Sequence, residues 1–239
     1  MNLKRIITVS LTVLCLYAQD ITVIFNGNNT KLMRFELDLM KELINRYVDS
    51  KGGKLKTQYK GVKEFSSSFE QLEKYNKNRT VVINQVVITP AREKKYDFST
   101  PYMSTHYALI SRKDFLNLDK KDEFKVGFVT GGIYEQLSDD LSKTVHLIKA
   151  PYASVSVAIK DLAQKKIDLY FTDDVDAWVY DLKIFQYFQK EKVSYYGFVF
   201  NKGSKMRDEI NDIYAKYKTT TNYKQLIKKH FGDYSEQFF

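Results

Sequence analysis

The sequence predicts an α/β protein built as two similar lobes, and three observations carry that prediction. Residues 21–88 alternate apolar strand-like runs with amphipathic helical stretches. The same strand–turn–helix alternation restarts at Lys125, after a charged connection from Asp114 to Glu123. A length of 239 residues accommodates two lobes of ordinary size.

In chain order, Ile21–Phe25 reads as a buried first strand, ended by Asn26-Gly27-Asn28-Asn29. Leu37, Met40, Ile44 and Tyr47 then recur at helical spacing, with Glu42, Arg46 and Asp49 opposite. A Gly52-Gly53 turn leads to a strand around Leu55–Tyr59. A short helix follows at Ser67–Tyr75, then a strand at Thr80–Val87. A β-α-β-α-β order of this kind predicts a mainly parallel sheet flanked by helices. His106–Arg112 is extended and apolar. In the second half, Lys125–Val129 is a strand, Thr130-Gly131-Gly132 a turn and Ile133–Leu141 a helix. His146–Lys149 is a strand, Ser154–Gln164 a helix, Ile167–Thr172 a strand, and a helix starts near Asp174. The final part is a strand at Tyr195–Asn201, a helix capped by Ser204, and a helix at Asn222–His230 closed by Gly232.

The composition is 44% hydrophobic and 15% aromatic, ample for a packed core. Lys4 and Arg5 precede an apolar run from Ile6 to Tyr17, then Ala18-Gln19-Asp20. The pattern is that of an export signal over residues 1–18, too short an apolar run to span a bilayer comfortably. Leu14 stands before Cys15 where a lipoprotein signal has a small residue, so lipid anchoring through Cys15 is not expected. With Cys15 removed, the mature chain has no disulfide and no thiolate chemistry. The formal charge is +9, or +7 without Lys4 and Arg5. The lysines are scattered over amphipathic segments and form no tract interleaved with aromatics, which argues against nucleic-acid binding. His106, His146 and His230 are scattered too, and no metal-ligand cluster or Ser-His-Asp spacing appears. No catalytic residue, metal or cofactor is expected.

One stretch is far more specific than the rest: Val86-Val87-Ile88-Thr89-Pro90-Ala91-Arg92, followed by Tyr96-Asp97-Phe98-Ser99-Thr100-Pro101-Tyr102. It places one arginine just past a strand-to-helix turn. A guanidinium fixed there suits a carboxylate, which it can grip through two N–H groups. Pairing with Asp97 in the same lobe is the alternative.

This run resembles the signature of the family 3 extracellular solute-binding proteins, the periplasmic amino-acid receptors of ABC importers. Tyr195-Tyr196-Gly197, Lys202-Gly203 and the closing helices are similar to that family as well, so the resemblance spans the mature chain. It implies a two-lobed periplasmic-binding-protein-like fold of type II, with two crossover segments near Tyr102–Ile110 and Val193–Gly197. Lobe 1 would comprise residues 19–104 and 198–239, and lobe 2 residues 105–197. It implies that Arg92 binds a ligand carboxylate and that Asp173, at a strand end of lobe 2, binds its ammonium group. Asp174 is one residue away, and both acids also suit the cap of the next helix. Gln85 falls where a backbone carbonyl meets the amino group. Val87, Gly132 and Ile133 fall at carboxylate-binding positions. There the chain departs from the family pattern, since hydroxyl side chains are common at Val87 and after Gly131. The loop before Phe35 is short, so a ligand-stacking wall is missing or comes from Tyr59 or Phe65. Trp178 and the tyrosines read as packing residues.

The expected function is capture of a small amino-acid-like zwitterion between two lobes, and its delivery to an ABC transporter permease by a monomeric periplasmic protein. The three departures motivate an alternative, a degenerate receptor used as a sensor or interaction module. An enzyme on the same scaffold is the remaining reading.

Overall fold

A computed structural model of the protein describes residues 21–75, 77–115, 123–143, 146–232 and 234–235. The export-signal segment and Cys15 lie outside the described residues. The first half runs β1 (Ile21–Asn26), α1 (Lys31–Ser50), β2 (Thr57–Val62), α2 (Phe65–Lys74), β3 (Thr80–Ile83), α3 (Pro90–Glu93) and β4 (Tyr96–Phe98). After β5 (Met103–Thr105) come β6 (Tyr107–Ser111), β7 (Phe124–Val129), α4 (Ile133–Leu141), β8 (Leu147–Tyr152), α5 (Val155–Ala163), β9 (Leu169–Asp173), α6 (Val175–Val179) and β10 (Lys183–Tyr187). The chain ends with β11 (Ser194–Tyr196), β12 (Val199–Asn201), α7 (Lys205–Tyr217) and α8 (Thr221–Phe231).

These elements form two sheets of the same design. One has the order β2-β1-β3-β12-β4, the other β8-β7-β9-β6-β10. In each, three strands are parallel neighbours, the fourth is reversed, and the fifth pairs antiparallel to the fourth. Four of five strands therefore point one way in both sheets. The reversed strand is in each case the one that has just arrived from the other lobe, β12 in the first sheet and β6 in the second. Between the sheets, β5 and β11 pair as a two-stranded antiparallel ribbon. Beside it, the Ile88 N–H donates to Tyr195 O, and the Gly197 N–H to Val86 O.

Burial explains the placement. Val81, Val82 and Ile83 are wholly buried, as the central strand of a sheet covered on both faces must be. On α1, Phe35, Leu39, Met40 and Leu43 pack into the core with Met206 and Ile210 of α7 and Ile227 of α8. Val175 and Val179 of α6 join this cluster, and Trp178 stacks on Phe231 and Tyr234 at 5.2 Å each. The second-half helix α6 thus leans on the first lobe. Strand β10 was not expected. Its burial alternates between half-buried and exposed, so it has no continuous apolar run to betray it.

Candidate functional site

Three parallel strands in each lobe end at one cleft, where ligands bind in open α/β sheets. From lobe 1 come Asn26 at the end of β1, Lys63 and Phe65 after β2, and Asn84, Gln85, Val87 and Arg92 after β3. From lobe 2 come Gly132 and Ile133 after β7, Ser154 after β8, and Asp173 at the end of β9, with Asp176 beyond it. Tyr196 of the ribbon forms the floor. The cleft holds about 630 Å³ of non-atom space, its mouth included. The lobes stand close together around room for a small molecule. They approach each other most plainly at Gly131, where φ is 72° and a Cβ would lie 3.5 Å from Ser66 of the other lobe.

All six residues singled out from the sequence, Gln85, Val87, Arg92, Gly132, Ile133 and Asp173, line this one cleft. Arg92 is positioned by its local sequence. Thr89 caps α3 by accepting the Arg92 N–H at 3.3 Å, and Pro90 supplies the first helical residue. The guanidinium Nη1 donates to Val87 O at 2.8 Å and lies over the rings of Phe65 and Phe69 at 5.3 and 5.8 Å. Val87 therefore contributes a carbonyl that aims the arginine. Phe65, not Tyr59, supplies an aromatic wall: Tyr59 is exposed and outside the cleft. Asp97 pairs instead with Lys202 at 2.8 Å and accepts the Gly203 N–H, so the intra-lobe alternative for Arg92 is not what the structure contains. Burial lowers the affinity of Arg92 for its proton, while Tyr107, Tyr134 and Asp173 raise it. Arginine stays charged regardless.

Asp173 faces Arg92 across the cleft and is 5% exposed. Burial pushes its carboxyl from an ordinary 3.8 up to about 7, against the opposing pull of the Tyr196 and Tyr134 hydroxyls. That pull does not amount to full pairing. Asp173 Oδ1 and the Tyr134 hydroxyl both lack a hydrogen-bond partner among the described residues. Asp174 is otherwise occupied: its carboxylate accepts from Thr105 Oγ1 at 2.7 Å and the His106 N–H at 3.2 Å, and its N–H donates to His106 O. It ties the crossover to β9 and leaves the cleft to Asp173.

Opposite Arg92, α4 begins at Gly132 with no side-chain cap. Its first-turn N–H groups and positive dipole end suit an anion without any hydroxyl. Behind the lobe 1 wall, the buried Glu36 accepts the Gln85 N–H at 3.0 Å, Gln85 Nε2 at 2.8 Å, and the Tyr102 hydroxyl. This holds Gln85 in a left-handed conformation, φ 47°, at the lip of the cleft. Burial raises Glu36 to about 7 despite those three donors. Glu36 and Asp176 were not singled out as site residues from the sequence. Nothing in their spacing marks them: the Glu36–Gln85 contact spans 49 residues, and the place of Asp176 on the cleft follows only from the fold. Among the described residues, no group of three His, Asp or Glu side chains is arranged to hold a metal ion.

Two α/β lobes meet at this cleft, with a cation on one wall and an acid on the other. The chain belongs to the bacterial extracellular solute-binding proteins, family 3, whose model matches residues 18–233. It is 28% identical over 155 residues to the L-cystine-binding protein TcyJ of Escherichia coli (strain K12), covering 64% of this chain and 55% of that protein. It is 28% identical over 214 residues to the L-cystine-binding protein TcyA of Bacillus subtilis (strain 168), covering 85% and 74%. The chain spans about half the length of the first of these relatives. Among solved structures, the ancestral amino acid-binding protein AncCDT-1, a precursor of cyclohexadienyl dehydratase, superposes with a TM-score of 0.72 at 21% identity, over 90% of this chain and 96% of that one. At that identity the likeness speaks for the fold.

Proposed function

We propose that this protein captures a small amino acid outside the cytoplasm and presents it to an ABC transporter permease. The observation that carries the proposal is the pair Arg92 and Asp173, on opposite walls of one cleft. The ligand carboxylate sits on Arg92 and the N–H groups of α4, and its ammonium group on Asp173. Gln85, Val87, Gly132 and Ile133 complete the contacts. Because the two charges belong to different lobes, a zwitterion stabilises the closed state and an ion of one sign does not. The moving bodies are residues 19–104 with 198–239, and residues 105–197, joined at the β5–β11 ribbon. The amino-acid-binding proteins among its relatives support this reading. So does the family's extracellular character, which favours the periplasm and an export signal over residues 1–18. We read the protein as a binder without catalysis. Its three described histidines lie outside the cleft: His106 beside Asp174, His146 beside Glu123 and His230 beside Asp38.

A thermal-shift panel of the common L-amino acids and cystine tests the proposal. Binding to the native state raises the melting temperature by mass action. A rise of several degrees with one or a few amino acids is expected. Silence across the panel refutes the proposal, and turnover of a bound amino acid refutes the non-catalytic part of it.

A further inference from the structure

The cleft carries one more acid than a simple zwitterion needs. Asp173 and Asp176 both line it from lobe 2. Asp176 Oδ2 accepts from Thr172 Oγ1 at 2.5 Å, which turns the carboxylate back toward the strand ends and the cleft. The groups acting on it are that hydroxyl and a second acid, Asp174. Those acting most on Asp173 are the Tyr196 and Tyr134 hydroxyls with Asp174 and Asp176. On the facing wall, the guanidinium of Arg92 is committed to the carboxylate position by Val87 O and the Phe65 ring. Lys63 also borders the cleft, but it is exposed, and water and salt screen it. Once a ligand carboxylate neutralises Arg92 and its ammonium neutralises Asp173, the carboxylate of Asp176 is still without a cation. Asp176 is half-buried, and a partly desolvated carboxylate without a cation is less stable than one beside a counter-charge, so a ligand that brings the missing charge is favoured. The cleft lining also includes Asn26, Asn84, Ser154 and Tyr170, each polar or carrying a polar tip.

We infer that Asp176 is a specificity-determining residue that receives a second cationic group, so that the preferred ligand is an amino acid with a positively charged side chain. The inference rests on the proposal that the cleft binds amino acids, and deepens it. Neutral amino acids of the same length fill the same space but leave Asp176 unpaired. Acidic ones place a like charge against it.

Isothermal titration of the protein at pH 7.5 with L-lysine, L-arginine, L-norleucine and L-glutamate tests this. Norleucine keeps the aliphatic chain of lysine and lacks its amine. Lysine or arginine is expected to bind at least about tenfold more tightly than norleucine, and glutamate more weakly than norleucine, as a charge-assisted contact in a partly desolvated site implies. In Asp176→Asn the preference for the basic amino acids over norleucine is expected to collapse toward unity. The comparison of ligands on the unmodified protein stands without the variant. Norleucine binding as tightly as lysine and arginine overturns the inference alone. An undiminished preference in Asp176→Asn also overturns it. Failure of every amino acid tested to bind overturns the inference together with the proposal beneath it.

Discussion

Replacing Asp173 by asparagine separates folding from binding. The side chain is 5% exposed, and burial raises its carboxyl from 3.8 to about 7. Since the folded value lies above the unfolded one, the stability this group contributes is fully present below 3.8 and is lost as pH rises through 7. At pH 5 the unfolded chain is already ionised at this position, while the folded protein still holds the proton. Two pH units below the folded value, at about 1.4 kcal/mol each, make this roughly 3 kcal/mol between pH 8 and pH 5. Asparagine has nearly the same shape and nothing to ionise. Asp173→Asn is therefore expected to outlast the wild type by a wider margin at pH 8 than at pH 5, with a difference between the two margins of about 3 kcal/mol. Glu36 and Asp176, also raised by burial, to about 7 and about 6, titrate in both proteins and largely cancel. Urea unfolding of ligand-free protein at the two pH values measures both margins. The same substitution is expected to abolish amino-acid binding. Equal pH responses in the two proteins would refute the claim that burial raises the Asp173 carboxyl.

Two further substitutions probe the other wall. Arg92→Ala is expected to weaken amino-acid binding by about 10- to 150-fold, from the loss of charge-assisted hydrogen bonds of roughly 1.5–3 kcal/mol. Calorimetry checks this, and unchanged affinity in a folded variant contradicts the assigned role. Glu36→Ala strands three donors, Gln85 N–H, Gln85 Nε2 and the Tyr102 hydroxyl. Stranded buried groups cost about 1–3 kcal/mol each, so the variant is expected to lose about 3 kcal/mol or more in urea unfolding. A loss below about 1 kcal/mol would show that water or neighbouring groups already serve these donors.

The parts of the site that could be read in the sequence are those that local chemistry determines. Arg92 was legible because Thr89 and Pro90 cap and start its short helix within three residues. The two-lobed α/β plan was legible because buried parallel strands such as Val81–Ile83 are continuous apolar runs. The choice between Asp173 and Asp174 was not settled by sequence, because both flank the same strand–helix junction. It turns on Thr105 and His106, which lie nearly seventy residues earlier and engage Asp174. Strand β10 escaped because its half-buried edge position leaves a mixed pattern. The role of Phe65 was one of two options until the fold put its ring beneath the Arg92 guanidinium and left Tyr59 outside. Asp176 carries no signal of its own in the sequence, since its place on the cleft follows from the fold.

The most direct measurement takes the amino acid that binds best and compares it with its decarboxylated amine and its deaminated acid, each titrated calorimetrically into the protein. If one molecule must span both walls, only the intact zwitterion binds appreciably, and each half-charged analogue falls by more than tenfold. An amine or an acid that binds as well as its parent would mean that a single wall suffices, and the bridging account would be wrong.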